Sequence, residues 1–93
     1  MAMTYRVIIT MDAARDLEKL AKSEPKAYTK AMRFVSELRE HPTMGTGHPE
    51  PLKGFPPNRW SREITKKHRL VYRVYKDAVY VEVLTAYGHY DDK

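Results

Sequence analysis

The sequence predicts an α+β domain in which two N-terminal helices pack on one face of a twisted, mainly antiparallel, four-stranded sheet. Three observations support this fold class. Apolar residues recur at helical spacing between residues 12 and 41, apolar and polar residues alternate in three segments after residue 58, and a β-branched segment precedes the first helix. The 93 residues contain no internal repeat and no low-complexity segment, so residues 1–93 are expected to form a single domain.

The first half of the chain predicts one strand and two helices. Residues 5–10 are β-branched and aromatic, which favours a strand. A helix is expected from Asp12, whose carboxylate suits the helix dipole, to about Lys22. Pro25 fits the first turn of a second helix, which Pro42 ends by restricting the residue before it. Each predicted helix has one apolar stripe, formed by Ala13, Leu17, Leu20 and Ala21 in the first and by Ala27, Ala31, Val35 and Leu38 in the second.

The second half predicts a long loop followed by three strands. Glycines and prolines prevent regular structure over residues 42–58, and a loop of this length inside a small domain is more often functional than idle. Strands are expected at 59–65, 68–75 and 79–87. The connections between them are short, so these strands should form an antiparallel meander. The first strand of the chain either joins that sheet or stays unpaired.

Composition excludes several classes of protein. There is no cysteine, so disulfides and thiol chemistry are excluded, which fits a cytosolic protein. No apolar run of ~18 residues is present and the N-terminus lacks the features of a signal peptide, so no membrane association is expected. The four histidines form no His-x-x-x-His pair, so neither a metal site nor another cofactor is predicted.

The positive charge is concentrated in one window of the chain. Residues 53–76 contain eight lysines and arginines and a single acid, Glu63, which makes a net charge of +7 against +5 for the whole chain. A local field of this sign favours a polyanionic partner such as a nucleic acid. The alternative is a solvated face that an acidic protein partner balances.

RNA cleavage without a metal requires three groups. A base takes the proton of the attacking 2′-hydroxyl, an acid protonates the leaving 5′-oxygen, and a cation stabilises the charge that develops on the phosphate. Glu50 is the candidate base, because Pro49 and Pro51 stiffen the backbone on both sides of it. The alternative is an exposed loop acid that balances the local charge.

Two strand arginines are the candidate phosphate ligands. Arg69 and Arg73 share one face of a predicted strand, and the planar guanidinium donates two parallel hydrogen bonds to a phosphate. In the alternative interpretation, a surface arginine of this strand pairs with Glu82 across the meander. Lys53 and Arg62 would extend the same RNA-binding surface.

The candidate acid lies near the end of the chain. His89 titrates near neutral pH in its unperturbed state, and Tyr90 can stack on a base or donate a hydrogen bond. The alternative is a frayed polar tail. Structural roles are expected for two further residues. Trp60 is more typical of a core position than of a platform on which bases stack, and His68 is the first residue of a predicted strand.

Three stretches resemble a known family. Residues 45–53 (Gly-Thr-Gly-His-Pro-Glu-Pro-Leu-Lys) resemble the Gly-x-Gly-x-Pro-Glu-Pro-Leu-Lys loop of YoeB/Txe toxins. Residues 60–72 resemble the Trp-Ser-Arg-Arg-Ile-x-x-x-His-Arg-Leu-Val-Tyr block of the same toxins, and residues 89–90 resemble their terminal His-Tyr. The three stretches occur in the order of the family, which belongs to the RelE/ParE superfamily.

The resemblance implies a RelE-like fold and a metal-independent endoribonuclease that cleaves mRNA in the ribosomal A site. It also implies inhibition by a YefM/Phd-type antitoxin and contact with the DNA operator only through that antitoxin, and it leaves a homodimer open. By the resemblance, Glu50 is the general base, His89 the general acid, Arg69 the transition-state ligand and Tyr90 an aid to substrate placement. The RNA contacts that it implies are Lys53 and Arg62.

The chain departs from the family pattern in three places. Glu63 replaces a family arginine, which removes one cation from the RNA-binding surface. Residues 54–59 differ from the usual loop, and Asp91-Asp92-Lys93 follow the Tyr at which many relatives end. Two other functions remain open at this point. One is a non-catalytic toxin of the ParE type that poisons gyrase, and the other is an RNA-binding module without cleavage activity.

Overall fold

In a computed structural model that describes residues 4–54 and 56–88, two helices pack against one face of a five-stranded sheet. The helices are α1 (Met11–Ser23) and α2 (Pro25–Leu38). The strands are β1 (Arg6–Ile9), β2 (Glu50–Pro51), β3 (Arg59–Glu63), β4 (Arg69–Tyr75) and β5 (Tyr80–Thr85). The predicted α+β class and the two N-terminal helices are confirmed.

The strand order is β1-β5-β4-β3-β2. The last three strands form the predicted antiparallel meander, and β1 joins its edge parallel to β5, with Val7 opposite Val81. A parallel pair needs a long crossover connection, which the two helices and the rest of the meander supply here. The sequence left open whether the first strand joins the sheet, and the structure shows that it does.

The predicted strand count of four is wrong, because a fifth strand lies inside the segment assigned to a loop. In β2, Glu50 pairs with Ser61 and Pro51 with Trp60 of β3. The N–H of Leu52 extends the pairing to the carbonyl of Arg59 (2.8 Å). A strand of two residues, one of them a proline, shows no alternation that the sequence could reveal. The proline is tolerated because β2 is at the edge of the sheet and a proline lacks only the N–H donor.

Thr10 joins the start of α1 to the sheet. Its hydroxyl oxygen accepts the N–H of Ala13 (3.1 Å), which caps the helix, and its O–H donates to the carbonyl of Val83 (2.9 Å). The helix thus begins at a fixed point on β5. Neither helix in the described ranges is long and apolar enough to cross a membrane.

The core lies between the two helices and the sheet. The buried members of the two predicted stripes, Ala13, Leu17, Leu20, Ala27, Ala31 and Leu38, supply its helical side. The stripe prediction is wrong at Ala21, which is exposed, and it left out Phe34, which is buried where Val35 is only partly buried. Alternate residues of β3, β4 and β5 supply the other side, as the sequence patterns predict. Its buried members include Leu17, Leu20, Phe34, Leu38, Ile64, Leu70, Tyr72, Val74, Val81 and Val83. Trp60 packs partly buried against this core, which confirms the structural interpretation of that residue.

The strands are shorter than predicted because their ends turn away. The N–H groups of Ile64 and Thr65 both donate to the carbonyl of His68 (3.0 and 3.1 Å), which closes a tight turn after β3. Val79 has a positive φ of 55° and belongs to the turn before β5. Residues 86–88, which we call the exit segment, follow β5 outside the strand ladder.

Candidate active site

The side of the sheet turned away from the helices carries a row of polar side chains, and we call this side the outer face. Its members on β3 and β4 are Arg59, Ser61, Glu63, Arg69, Val71, Arg73 and Tyr75, which alternate with the core residues. Glu50 of β2 lies opposite Ser61, so it belongs to the same row, and its side chain is exposed. The outer face therefore combines the predicted base with the predicted phosphate ligands.

Arg69 reaches across the outer face to β3. Its Nη1 donates a hydrogen bond to Oγ of Ser61 (3.2 Å), and its Nη2 lies 3.9 Å from Oε1 of Glu63. The side chain of Arg69 remains 21% exposed, so a ligand can still approach the guanidinium. Glu82, the partner in the alternative interpretation, lies opposite Arg73 in the strand register and not opposite Arg69.

Ser61 is a neighbour of both Glu50 and Arg69. Residues directly opposite each other on antiparallel strands have Cβ atoms about 4.5–5.5 Å apart, which is the relation of Glu50 to Ser61. The guanidinium of Arg69 covers the same serine, which is fully buried. Ser61 of β3 is therefore the strand partner of Glu50 in β2 and a hydrogen-bond partner of the Arg69 guanidinium in β4. The sequence did not indicate Ser61, because its contact with Arg69 depends on the register between the two strands.

The end of the described chain, Gly88, lies beside the backbone of Arg69. The backbone N–H of Arg69 donates to the carbonyl of Gly88 (3.0 Å). His89 and Tyr90, the predicted acid and its neighbour, lie outside the described residues. Gly88 nevertheless fixes the point from which the chain continues to them, directly beside Arg69.

The predicted RNA ligands occupy different surroundings. Lys53 follows β2 with an exposed side chain, and its carbonyl accepts a hydrogen bond from Nη2 of Arg59 (3.3 Å). The guanidinium carbon of Arg73 lies 4.7 Å from the ring centroid of Tyr75, which stacks in parallel on Tyr80. Nε of Arg73 is buried without a hydrogen-bond partner in the described part of the chain. Lys53 and Arg73 therefore remain candidates for RNA contact.

The prediction that Arg62 contacts RNA is wrong, because this side chain is fully buried on the helical side of the sheet. Its guanidinium forms an ion pair with Glu37 of α2 and donates to the carbonyls of His41 (2.5 Å) and Met44 (2.9 Å). Its Nε donates to the hydroxyl of Tyr72 (3.0 Å). A guanidinium enclosed in this way has no surface to offer a phosphate.

Arg62 instead holds the loop that leads to Glu50. Besides the two carbonyls above, its Nη1 donates to the carbonyl of Thr46 (3.3 Å), and Tyr72 donates its O–H to the carbonyl of Pro42 (2.7 Å). The sequence contained the signal for this role, since Arg62 alternates with Ser61 and Glu63 and so falls on the core face.

Glu37 is the counter-ion of that buried arginine. Partial burial acts to raise the pKa of Glu37, but the N–H of Thr46 (3.0 Å) and the guanidinium of Arg62 together hold this pKa below its ordinary value. Glu37 is therefore a carboxylate at neutral pH, and its charge is balanced by Arg62.

The chain matches a known protein family along most of its length. Residues 9–90 match the model of a family described as YoeB-like toxin of bacterial type II toxin-antitoxin system. The chain is 38% identical over 79 residues to Toxin YoeB of Mycobacterium bovis and 34% identical over 76 residues to Toxin YoeB of Streptomyces coelicolor. These alignments cover 85% and 82% of this chain and 91% and 90% of the relatives.

Solved structures show the same fold. A YoeB/ParE toxin from Agrobacterium tumefaciens superposes with a TM-score of 0.82 at 33% identity, covering 91% of this chain and 99% of that one. The YoeB dimer from Staphylococcus aureus superposes with a TM-score of 0.79 at 25% identity, covering 94% and 99%. A YoeB-YefM complex from Staphylococcus aureus also matches, with a TM-score of 0.75 at 25% identity, covering 92% and 98%.

The family match spans most of the chain, and the loop, strand arginine and exit segment that carry the candidate site lie within it. This chain therefore belongs to the family of YoeB-like toxins of bacterial type II toxin–antitoxin systems.

Proposed function

We propose that this toxin is an endoribonuclease that cleaves mRNA in the ribosomal A site and thereby inhibits translation. The observation that carries the proposal is that Ser61 on the outer face is both the strand partner of Glu50 and the hydrogen-bond partner of Arg69, with Gly88 bound to the backbone of Arg69. Glu50 and Arg69 are two of the three groups that the reaction requires, and His89, the third, directly follows Gly88 in the sequence.

In the proposed reaction, the 2′-hydroxyl of one nucleotide attacks its neighbouring phosphate. Glu50 accepts the hydroxyl proton, and the guanidinium of Arg69 binds the phosphate oxygens on which negative charge develops. His89 protonates the 5′-oxygen as the P–O bond breaks, and Tyr90 assists placement of the substrate. The products are an RNA with a 2′,3′-cyclic phosphate and an RNA with a free 5′-hydroxyl. Carboxylate, guanidinium and imidazole suffice for the three roles, so the reaction requires no metal.

The substrate path follows from charge. Residues 53–76 carry a net charge of +7, of which the buried Arg62 is not part of the surface, and Arg69 and Arg73 lie four residues apart on the same face of β4. Residues on one strand are spaced by about 3.3 Å, so the two guanidiniums start from positions about 13 Å apart, enough to contact phosphates of different nucleotides. Lys53 extends this cationic surface beside Glu50.

The proposed partners follow from the family and the charge. We propose a YefM-type antitoxin that is acidic and partly disordered and folds across the basic surface, because opposite charge favours rapid and specific association. Contact with operator DNA would occur through that antitoxin. The structures of a YoeB-YefM complex and of a YoeB dimer support an antitoxin partner and a homodimer.

Primer extension on mRNA bound to purified ribosomes tests the activity. The wild type should yield discrete cuts with cyclic or 3′-phosphate ends. Glu50→Gln should slow single-turnover cleavage about 10²- to 10⁴-fold by removing the base, and His89→Ala should produce a loss of similar size. Arg69→Lys should slow it about 10²- to 10³-fold, because an ammonium does not reproduce the two parallel hydrogen bonds.

Two variants on the helical side serve as controls. Arg33→Lys and Glu40→Gln change exposed residues in and just after α2, away from the outer face, and should leave cleavage unchanged. Full cleavage by both Glu50→Gln and His89→Ala would refute the mechanism. Binding of RNA without cut products would identify an RNA-binding module, and DNA damage without translation arrest would identify a gyrase-poisoning toxin.

A further inference from the structure

Side-chain contacts add to the backbone hydrogen bond between Arg69 and Gly88 in holding the exit segment that follows β5. The N–H of Ala86 donates to Oδ2 of Asp16 in α1 (2.9 Å). The ring of Tyr87 packs on the ring of His68 with centroids 4.4 Å apart. The N–H of Gly88 donates to Nδ1 of His68 (2.8 Å). Each residue of the exit segment is therefore tied to an element elsewhere in the fold.

The hydrogen bonds of His68 define which of its two ring nitrogens carries the proton. Since Gly88 donates to Nδ1, this nitrogen carries no proton, and the proton of the neutral ring is on Nε2. Nε2 lies 2.7 Å from Oε2 of Glu24, to which it donates. This hydrogen bond holds the pKa of Glu24 below its ordinary value, and Lys67, 3.7 Å from the same oxygen, acts in the same direction. Glu24 thus stays anionic and selects the tautomer that accepts from Gly88.

Gly88 is bound on both sides of its own backbone. Its N–H donates to His68, and its carbonyl accepts the N–H of Arg69. The residue that carries the proposed phosphate ligand and the residue that precedes the proposed acid are thereby joined. His68 is itself almost fully buried, so its ring has little freedom to move.

We infer that His68, oriented by Glu24, is a positioning residue that fixes Gly88 beside Arg69 and so sets the point from which the chain continues to His89. This inference rests on the proposed function, because its consequence for the reaction requires that His89 be the acid. Packing against Tyr87 alone needs only a planar ring. The inference concerns Nδ1, which accepts from Gly88, while the donation of Nε2 to Glu24 orients the ring.

Three substitutions separate these contributions. In His68→Asn, the amide oxygen takes the position of Nδ1 and retains the hydrogen bond from Gly88. In His68→Gln, the amide nitrogen reaches the position of Nε2 and retains the contact with Glu24. His68→Phe retains only the ring. If His68 acts through Gly88, the asparagine variant alone should behave like the wild type.

Hydrogen exchange at the Gly88 amide and single-turnover cleavage measure the two parts of the inference. The protection factor of Gly88 should remain within about threefold of wild type in His68→Asn and fall by about tenfold in the glutamine and phenylalanine variants, as loss of one hydrogen bond allows. Their cleavage rate constants should fall about 10- to 100-fold through misplacement of the acid, with KM for programmed ribosomes unchanged. Equal losses in His68→Asn and His68→Phe, or wild-type cleavage by His68→Phe, would overturn the inference.

These measurements also distinguish the inference from the proposed function. If the wild type cleaves no mRNA, the proposed function fails, and the exchange of Gly88 in the three variants decides by itself whether His68 positions the exit segment. If the wild type cleaves and only the exchange of Gly88 is insensitive to His68, the proposed function stands and the inference fails.

Discussion

Oε1 of Glu63 lies 3.9 Å from Nη2 of Arg69, directly across the antiparallel pair of β3 and β4. The carboxylate is 40% exposed, so this is a partly solvated ion pair and not a buried one. Its position matters because Glu63 replaces a cation of the family pattern. An acid beside the proposed phosphate ligand competes with the phosphate for the guanidinium.

We expect Glu63→Gln to increase the single-turnover rate of mRNA cleavage. The gain should be about two- to fivefold, since an exposed ion pair contributes up to about 1 kcal/mol. Glu82→Gln is the matched control, because Glu82 lies on the outer face but accepts a hydrogen bond from Tyr75 and does not contact Arg69. An unchanged or lower rate in Glu63→Gln would show that the acid does not restrain Arg69.

Arg62→Met should destabilise the fold strongly. Removal of the guanidinium leaves the Glu37 carboxylate without its counter-ion and several loop carbonyls without a donor, which should lower the free energy of unfolding by about 3–5 kcal/mol. Urea denaturation measures this change. Arg33→Met, on the exposed side of α2, should change stability by less than about 0.5 kcal/mol.

A second substitution tests the cause of that loss. In the double variant Arg62→Met with Glu37→Gln, no unpaired charge remains, so part of the lost stability should return. If the double variant is no more stable than Arg62→Met, the loss arises from the loop carbonyls and not from the stranded carboxylate.

The ionisation of Glu37 should make the free energy of unfolding decrease at acid pH. Its pKa in the folded protein is below the ordinary value of 4.5, so its carboxylate contributes stability that is fully present above that value. This contribution is lost as the pH falls through the folded pKa, where the group becomes protonated in both states. Glu37→Gln should therefore flatten the decline in unfolding free energy below about pH 5. Glu40→Gln, which changes an exposed acid, should retain the wild-type decline.

Gly47 in the loop before Glu50 should not tolerate a side chain. Its φ is +80°, and a Cβ atom there would lie 2.5 Å from Cζ of the buried Phe34 ring. Gly54 has a similar φ of +94°, but its Cβ would meet only the flexible end of Arg59 at 3.9 Å. The two glycines thus differ in available space and not in backbone conformation.

Alanine substitutions at the two positions should separate strain from overlap. Gly54→Ala should lower the free energy of unfolding by about 1–2 kcal/mol through the left-handed backbone alone. Gly47→Ala should lose about 1–3 kcal/mol more through overlap with Phe34. If Gly47→Ala and Gly54→Ala unfold at the same denaturant concentration, the Phe34 ring moves aside without a cost in stability.

Much of the fold could be predicted from the sequence because its signals are local. The apolar stripes of α1 and α2 repeat at the helical period, and alternate residues of β3, β4 and β5 face the core, as their order along the chain implies. The signals for helix ends at Asp12, Pro25 and Pro42 depend only on neighbouring residues. β2 could not be predicted, because two residues have no period and become a strand only by pairing with β3.

The sequence indicated which residue types could perform the chemistry of the site, but it did not indicate which residues surround them. The sequence determined that Glu50 stands between prolines, that Arg69 and Arg73 share a strand face and that Arg62 alternates with polar neighbours. Only the tertiary structure decided that Arg62 is buried against Glu37, that Arg69 reaches Ser61 and Glu63, and that Gly88 returns to His68. The physical reason is that a side chain's face follows from the local backbone, whereas its partner depends on strand register and helix docking between residues distant in the chain.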